Sequence, residues 1–204
     1  MAISDWVPVT LALLILAGRF AWALGRDAES AQSIALRRAW VKRILAAPGS
    51  EILAIQTVRN SMMASSLMAS TAVLALMGVI SIGHSQLGAA DALRDLMHAG
   101  SNLKLFLPLA LLAACVVLFS KAVRLYHRAG YSLGLSRRAS GDDNLSDVAE
   151  AAASGELTRA AHLYRNGWRT FYAAIATGAW LAGAWMMLLT TIIIVGIDIA
   201  ARIE

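Results

Sequence analysis

Four apolar runs, each close to the length that crosses a lipid bilayer, constrain this chain more than any other feature. They cover about residues 6–25, 61–83, 103–120 and 171–197. A transmembrane helix needs about 20 apolar residues to cross a hydrocarbon core about 30 Å thick. The runs lack the strict alternation of barrel strands, and lipid tolerates only helices and closed barrels. We therefore predict an all-α integral membrane protein with four transmembrane helices in a single membrane domain, residues 1–204.

Composition agrees with this prediction. The chain is 58% hydrophobic, whereas a soluble domain is about 45–50% apolar. A cleaved signal peptide is the less favoured interpretation of the first run, because Asp5 rather than a basic residue precedes it. The single cysteine, Cys115, lies inside the third run. It allows no disulfide within the chain and no thiolate metal site, so we expect a small core residue.

The basic residues are distributed unevenly. Most of the 18 Lys and Arg residues lie between the first and second runs or between the third and fourth. The positive-inside rule places these segments in the cytoplasm, so both termini are expected on the outer, periplasmic side of a bacterial inner membrane. Because the basic residues lie beside membrane ends, membrane lipids are sufficient partners for them, and nucleic acid is not expected.

Two charged residues enter or border the runs. Arg19 lies within the first run, where it is expected to reach the inner surface or to pair with a neighbouring helix. A charge that lines a solute path is the alternative. The runs contain no Asp or Glu, and Asp198 stands at the outer edge of the fourth.

Residues 27–50 predict a basic amphipathic helix at the inner membrane interface. Ile34, Val41, Ile44 and Leu45 share one face at helical spacing. Pro48 and Gly49 are expected to end this helix. Ser50 then fits the N-cap of a second helix that begins near Glu51, before the lipid. The polar residues that follow belong to a wet or protein-covered extension of that helix.

Small residues at a spacing of four predict close helix packing in two runs. The second run has Ser61, Ser65 and Ala69 on one face, and the fourth has Gly178, Ala182 and Gly183, with Ala179. We expect the first set to pack inside the protein and the second set to face a partner chain or lipid. A solute path lined by hydroxyl groups is the alternative for the second run.

The loops predict short helices and no cofactor site. The outer loop, residues 84–104, includes a helical segment with Asp91, Asp95 and His98 on one face, which we interpret as solvated surface rather than half of a metal site. The inner loop, residues 128–169, predicts an Ala-rich helix that Gly155 ends, and then a helix that enters the fourth run. Hydrolase, phosphate-binding and dinucleotide-binding motifs are absent from the sequence, and no catalytic, cofactor-binding or metal residue is predicted.

Two segments carry a family resemblance. "ILAIQTVRNSMMASSLMASTAVLAL" and "NGWRTFYAA" resemble the two sequence marks of the membrane family known as domain of unknown function 599 (DUF599). The resemblance covers nearly the whole chain and departs from the family in the tail, "DIAARIE". It implies a four-helix integral membrane protein without an assigned biochemical activity. The polar marks of the family fall on Gln56, Thr57, Arg59, Asn60, Arg169, Phe171 and Tyr172, which we expect to form a junction at the cytoplasmic ends of two helices.

These observations favour a non-enzymatic function. The leading hypothesis is assembly, as a homo-oligomer or as an accessory subunit of a membrane complex, because the small-residue surfaces suit helix association. A transporter or channel for a small solute is the alternative, and a membrane-embedded enzyme is third. A buried cluster of charges around a cavity would favour transport.

Overall fold

The computed structural model describes residues 3–26, 31–47, 49–87, 103–134 and 143–200. Within these ranges the regular structure is entirely helical, which confirms the all-α class. The helices are α1 (Ile3–Arg26), α2 (Ala31–Ala46), α3 (Glu51–Leu87), α4 (Leu103–Gly134), α5 (Asp143–Gly178) and α6 (Ala184–Ala200), with a 3-10 turn, Ala179–Leu181, between the last two.

Two helices, α3 and α4, are long and apolar enough to cross a membrane, over Ile52–Gly83 and Leu103–Gly134. α3 has 37 residues and α4 has 32. At 1.5 Å per residue these helices are about 55 Å and about 48 Å long, well beyond the hydrocarbon thickness of about 30 Å. The apolar stretches of α1 and α6, Trp6–Trp22 and Ala184–Ala200, are shorter. Four transmembrane helices therefore remain a prediction.

The chain divides into two compact units. The first contains Met1–Arg26, Thr71–Cys115 and Trp168–Glu204, and the second contains Asp27–Ser70 and Val116–Gly167. Helices α3, α4 and α5 each contribute one part to each unit. The second unit holds most of the basic residues, and the first holds most of the apolar ones.

The predicted apolar face of α2 packs into the core of the second unit. Val41, Ile44 and Leu45 are buried in a cluster formed with α3, α4 and α5. Their partners include Ala54, Val58, Ala122, Tyr126, Ala129, Leu133, Ala153, Leu157 and Ala160. Protein therefore covers three of the four residues of the predicted apolar face, whereas Ile34 is half-buried. The location of α2 at a membrane interface stays a prediction.

The turn between α2 and α3 corrects the expected role of Ser50. Gly49 adopts a φ of +83°, which L side chains rarely adopt, and α3 begins at Glu51 as predicted. The Ser50 hydroxyl donates to the carbonyl oxygens of Ile44 at 2.7 Å and Ala47 at 2.6 Å. It therefore serves the end of α2 rather than the start of α3, because the last carbonyls of a helix have no partner within it.

α5 continues through Gly155, so the expected helix end at this residue is wrong. A glycine inside a helix costs only about 0.5–1 kcal/mol relative to alanine. Burial of Ala153, Leu157 and Ala160 on the same helix offsets that cost. The predicted helix with Asp91, Asp95 and His98 lies outside the described residues.

In the first unit, α1 packs along α6. Val9 and Ala12 are buried against Met187 and Leu188. Near the start of α1, the rings of Trp6 and Trp180 meet edge to face, with centroids 6.4 Å apart. Two threonines within this apolar unit are satisfied by their own helices: Thr177 donates to the Ala173 carbonyl oxygen at 2.9 Å and Thr191 to that of Met187 at 2.7 Å.

The fourth apolar run does not form the single helix that its length predicts. α5 ends at Gly178, the 3-10 turn follows, and Gly183 has a φ of +148° before α6 begins. Glycine adopts that conformation at little cost, so the chain turns here. Hydrophobicity alone does not distinguish a 27-residue apolar span from a helical hairpin.

The hairpin also changes where α6 ends. At its start α6 lies near Trp6, and near its end Asp198 pairs with Arg19, so α6 runs in the same direction as α1. Tyr172 of α5 lines the same cavity as Asp198. The end of α6 therefore returns to the level of Arg169, and the sequence-based expectation of a C-terminus on the opposite side does not follow from this geometry.

Candidate functional site

A small charged cavity lies in the first unit, where α1, α5 and α6 meet. Its volume is about 50 Å³. Its polar lining consists of Arg19 from α1, Arg169 and Tyr172 from α5, and Asp198 from α6. The rest of the lining is apolar: Leu16, Phe20, Ala173, Ile194 and Val195. Two cationic groups and one carboxylate thus meet among apolar side chains.

Arg19 and Asp198 form the central ion pair of this cavity. Nη2 of Arg19 donates a hydrogen bond to Oδ2 of Asp198. The side chains are 17% and 35% exposed, so solvent screens the pair only in part. Nη1 of Arg19 is buried and has no hydrogen-bond partner among the described residues. The guanidinium also lies 5.2 Å from the ring centroid of Trp22, within cation–π range.

Helix packing fixes the position of each charged group. Leu16 precedes Arg19 by three residues and Ile194 precedes Asp198 by four, so each apolar side chain lies on the same helical face as its charged neighbour. Ala12 and Val9, about one and two turns before Leu16 in α1, bury that helix against α6. The ion pair is therefore held by two rigid elements rather than by a loop.

Trp168 organises the aromatic side of the cavity on α5. Its ring centroid is 5.4 Å from that of Tyr172 and 6.2 Å from that of Phe171. These are neighbours at helical spacings of four and three residues. Tyr172 reaches the cavity lining, whereas Phe171 does not. Of the predicted junction residues, Arg169 and Tyr172 thus lie at the cavity.

The four junction residues of α3 lie in the second unit. Gln56, Thr57, Arg59 and Asn60 are exposed on α3. The Thr57 hydroxyl donates to the Leu53 carbonyl oxygen at 2.9 Å, within its own helix. The structure assigns the two groups of the predicted junction to different units. Their junction stays a prediction.

The predicted packing residues also separate into two settings. Ser65 is fully buried and donates to the Ser61 carbonyl oxygen at 2.9 Å. Ser61 is half-buried and its hydroxyl donates to the Thr57 carbonyl oxygen at 3.2 Å within α3, and Ala69 is half-buried too. Gly178, Ala182 and Gly183, by contrast, belong to the turn between α5 and α6, so they do not form one helical face.

Pairing of Arg19 with a neighbouring helix is one of the expectations from the sequence, and the structure bears it out; the identity of the partner, Asp198, is what sequence reasoning missed. The available signal was the presence of two opposite charges, one within the first apolar run and one at the edge of the fourth, in runs that contain few charged residues. A straight fourth helix puts the two residues at opposite membrane surfaces, whereas the hairpin brings them together.

A larger groove, about 880 Å³, lies in the second unit between α2 and α5. Its lining includes basic Arg38, Lys42 and Arg159 together with acidic Asp147 and Glu150. Neither sign of charge dominates, and the groove is open, so its lining selects no ligand class. Among the residues that the structure describes, no group of three or more His, Cys, Asp or Glu side chains could hold a metal ion.

Fold and site together define an all-α protein with two helices suited to membrane crossing and a charged cavity in its more apolar unit. The chain belongs to the family described as "Protein of unknown function, DUF599", which it matches over residues 6–200. The sequence-based resemblance is thereby confirmed. No curated protein and no solved structure matches the chain significantly.

Proposed function

We propose that this chain is a multi-pass inner-membrane protein that binds and passes a small solute through its first unit. The observation that carries this proposal is the ion pair between Arg19 and Asp198 at a cavity in the more apolar unit. Of the two functions that the sequence leaves open, this observation favours transport over assembly. Charged groups inside apolar membrane segments are expensive, and they commonly mark substrate or ion pathways.

The broken fourth run brings a second helix to the cavity. α5 gives way to α6 at Gly178–Gly183, and α6 returns until Asp198 lies at the same cavity as Arg169, away from the interruption itself. Tyr172 adds a hydroxyl to the lining.

The proposed topology follows from charge and from the hairpin. The basic segments, residues 27–59 and 121–169, lie on the cytoplasmic side by the positive-inside rule. α1, α3 and α4 each cross the membrane, and the end of α5 with α6 enters and returns. The N-terminus is then outside and the end of α6 is inside.

Flux into proteoliposomes tests the transport proposal. The purified full-length protein is reconstituted, and entry of urea, glycerol, formate, chloride and small cations is followed by light scattering after osmotic mixing. We expect the protein to accelerate entry of one solute class, and Arg19→Gln to reduce that rate to near the level of empty vesicles. Arg128→Gln, which changes an exposed arginine of α4, is the matched control. Rates equal to those of empty vesicles for every solute would reject transport.

Assembly is the second candidate, and α3 provides the observation in its favour. In an apolar 18-residue stretch of α3, 11% of the residues are buried, whereas 28% are buried in the corresponding stretch of α4. In the second unit, Ile52 is 68% exposed and Leu53 is 59% exposed, beside the exposed Arg59 and Asn60. Exposed apolar side chains on a basic unit are typical of a surface that another chain covers.

A further inference from the structure

The exposed faces of α1 and α6 are apolar along most of their length. Both helices expose large apolar side chains: Val7, Leu11, Leu14, Leu189, Ile192, Ile193 and Ile197. Thr10, which is exposed among those of α1, donates its hydroxyl to the carbonyl oxygens of Trp6 at 2.9 Å and Val7 at 3.0 Å. A hydroxyl that is satisfied within its own helix needs no water, so these faces are suited to contact with lipid.

The apolar faces of the two helices end at matching positions. Trp6 and Trp185 lie in the first turns of α1 and α6, and both are exposed. Arg19 follows Trp6 by 13 positions, and Asp198 follows Trp185 by 13 positions. Because α1 and α6 run in the same direction and Arg19 pairs with Asp198, the tryptophans mark one end of a shared apolar band and the ion pair marks the other.

The tryptophan end of this band has the composition of a membrane–water interface. Tryptophan is enriched at that level, where its ring meets the hydrocarbon and its N–H meets the headgroups. A cation lies at the same end, since Nζ of Lys104 is 5.7 Å from the ring centroid of Trp180, which itself packs against Trp6. This end of the first unit therefore fits the outer headgroup region.

The band is shorter than the hydrocarbon core of an ordinary bilayer. At 1.5 Å per residue, 13 positions of helix extend about 20 Å, whereas the hydrocarbon core is about 30 Å thick. Trp22, which is exposed one turn after Arg19, lies about 24 Å along α1 from Trp6. A tilt of the helices would shorten the span of the band across the bilayer further.

The charged end of the band cannot make up this difference by itself. A short hydrophobic segment is accommodated by thinning of the bilayer, by long side chains that reach the surface, or by association of chains. The side chain of Asp198 is short, and Arg19 is held by Asp198 and lies 5.2 Å from the ring centroid of Trp22. α3 and α4, by contrast, are long and apolar enough to cross.

We infer that the exposed faces of α1 and α6 border a locally thinned bilayer and select phospholipids with short acyl chains. The tryptophan end lies at the outer headgroups, and the ion pair lies at the inner edge of the thinned hydrocarbon, where water and headgroups reach it. The inference rests on the proposed function, because it takes the multi-pass topology from there and adds the lipid partner of the first unit.

Fluorescence quenching by brominated lipid identifies the lipids that lie against this face. The full-length Ile192→Cys variant, changed at an exposed position midway along α6, is labelled with bimane; Cys115 is buried. It is reconstituted with brominated dioleoyl phosphatidylcholine and a competing phosphatidylcholine that carries dimyristoleoyl, dioleoyl or dierucoyl chains, in order of increasing length. We expect the dimyristoleoyl lipid to relieve quenching at about half the concentration that the dioleoyl lipid requires, because it removes the mismatch.

Two further variants locate the preference and its cause. Leu74→Cys, exposed on α3 in the same unit, is the matched control and should show equal competition by the dimyristoleoyl and dioleoyl lipids. Arg19→Leu combined with Asp198→Leu removes both charges at once, so neither is left unpaired. In the Ile192→Cys background this change should move the preference towards the dioleoyl lipid, which a purely structural role of the ion pair does not predict.

The possible outcomes separate this inference from transport. The absence of quenching at Ile192→Cys would overturn it, because protein then covers the face. Equal competition by all three lipids, or a preference for the longest, would overturn it as well, and this comparison does not depend on the variant without the ion pair. A preference for short chains without solute flux would keep the inference and reject transport. Solute flux without that preference would do the reverse.

Discussion

Gly167 on α5 marks the closest helix contact in the second unit. A Cβ atom at this position would lie 2.7–3.0 Å from three ring atoms of Phe119 on α4. Phe119 is fully buried, and its ring also packs edge to face on Tyr164, with centroids 5.7 Å apart. The ring therefore has no free direction in which to move.

Gly167→Ala is expected to lower the free energy of unfolding by about 1–3 kcal/mol, the usual cost of overpacking a core. Gly155→Ala is the matched control on the same helix, because nothing lies within 4 Å of a Cβ placed there. That change should stabilise the protein by up to about 1 kcal/mol through helix propensity. Thermal unfolding in detergent measures both. Equal shifts for the two variants would show that the Phe119 contact does not limit this position.

At single residues, the sequence pattern identifies apolar surfaces better than polar partners. Val41, Ile44 and Leu45 follow from helical spacing and are buried together. Ser50 was correctly placed at a helix boundary, but its hydroxyl serves the preceding helix. Spacing specifies which face a residue occupies, whereas the partner of a hydroxyl depends on the path of the turn.

Among the helices, the hairpin of α5 and α6 has the clearest consequence for topology. Because α6 returns to the level of Arg169, Asp198 near the end of α6 lies at the same cavity as Arg169 of α5. A single crossing of residues 171–197 would put Asp198 on the opposite side of the membrane from Arg169.

A reporter fused at the C-terminus should therefore be active only as a cytoplasmic reporter. Fluorescent protein fused after Glu204 should fluoresce, and alkaline phosphatase fused there should be inactive. Alkaline phosphatase inserted in residues 88–102 should be active and serves as the control. If the C-terminal phosphatase is active, the fourth run crosses the membrane once, and the hairpin is not the topology in the cell.

The elements show why length and hydropathy predict most of the fold and not this part of it. The start of α3 and the first part of α4 follow from apolar runs and their flanking polar residues, whereas the continuation of α4 to Gly134, into the predicted inner loop, does not. The turn at Gly183 depends on one positive φ, and an apolar 27-residue run is equally compatible with one tilted helix or two shorter ones. The charged cavity depends on that turn, so it could not be predicted from length and hydropathy either.

For the molecule as a whole, the exposed apolar residues of α3 can be tested as a contact between two copies of the chain. Cys115 is the single cysteine of the chain and is buried. A disulfide between two copies of the chain would therefore form through an introduced, exposed cysteine. Leu53→Cys, on exposed α3, should form a covalent dimer on mild oxidation in membranes if the second unit pairs through α3. Val148→Cys, 66% exposed on α5, is the control with similar accessibility. Equal cross-linking at the two positions, or none, would argue against an α3 interface.

The assembly surface first expected on the fourth run needs a different test. Gly183→Leu would not report on association alone, because a φ of +148° is strained for any L side chain. Ala182 is exposed and has a φ of −83°, so Ala182→Leu can change the surface without straining the turn.

The ion pair between Arg19 and Asp198 links residues 179 positions apart, and this separation affects biosynthesis. A ribosome completes α1 long before it reaches Asp198. In the proposed membrane topology, the Arg19 guanidinium would therefore enter the membrane before its carboxylate exists. A nascent chain that stops before Asp198 retains Arg19 in its first helix without this carboxylate.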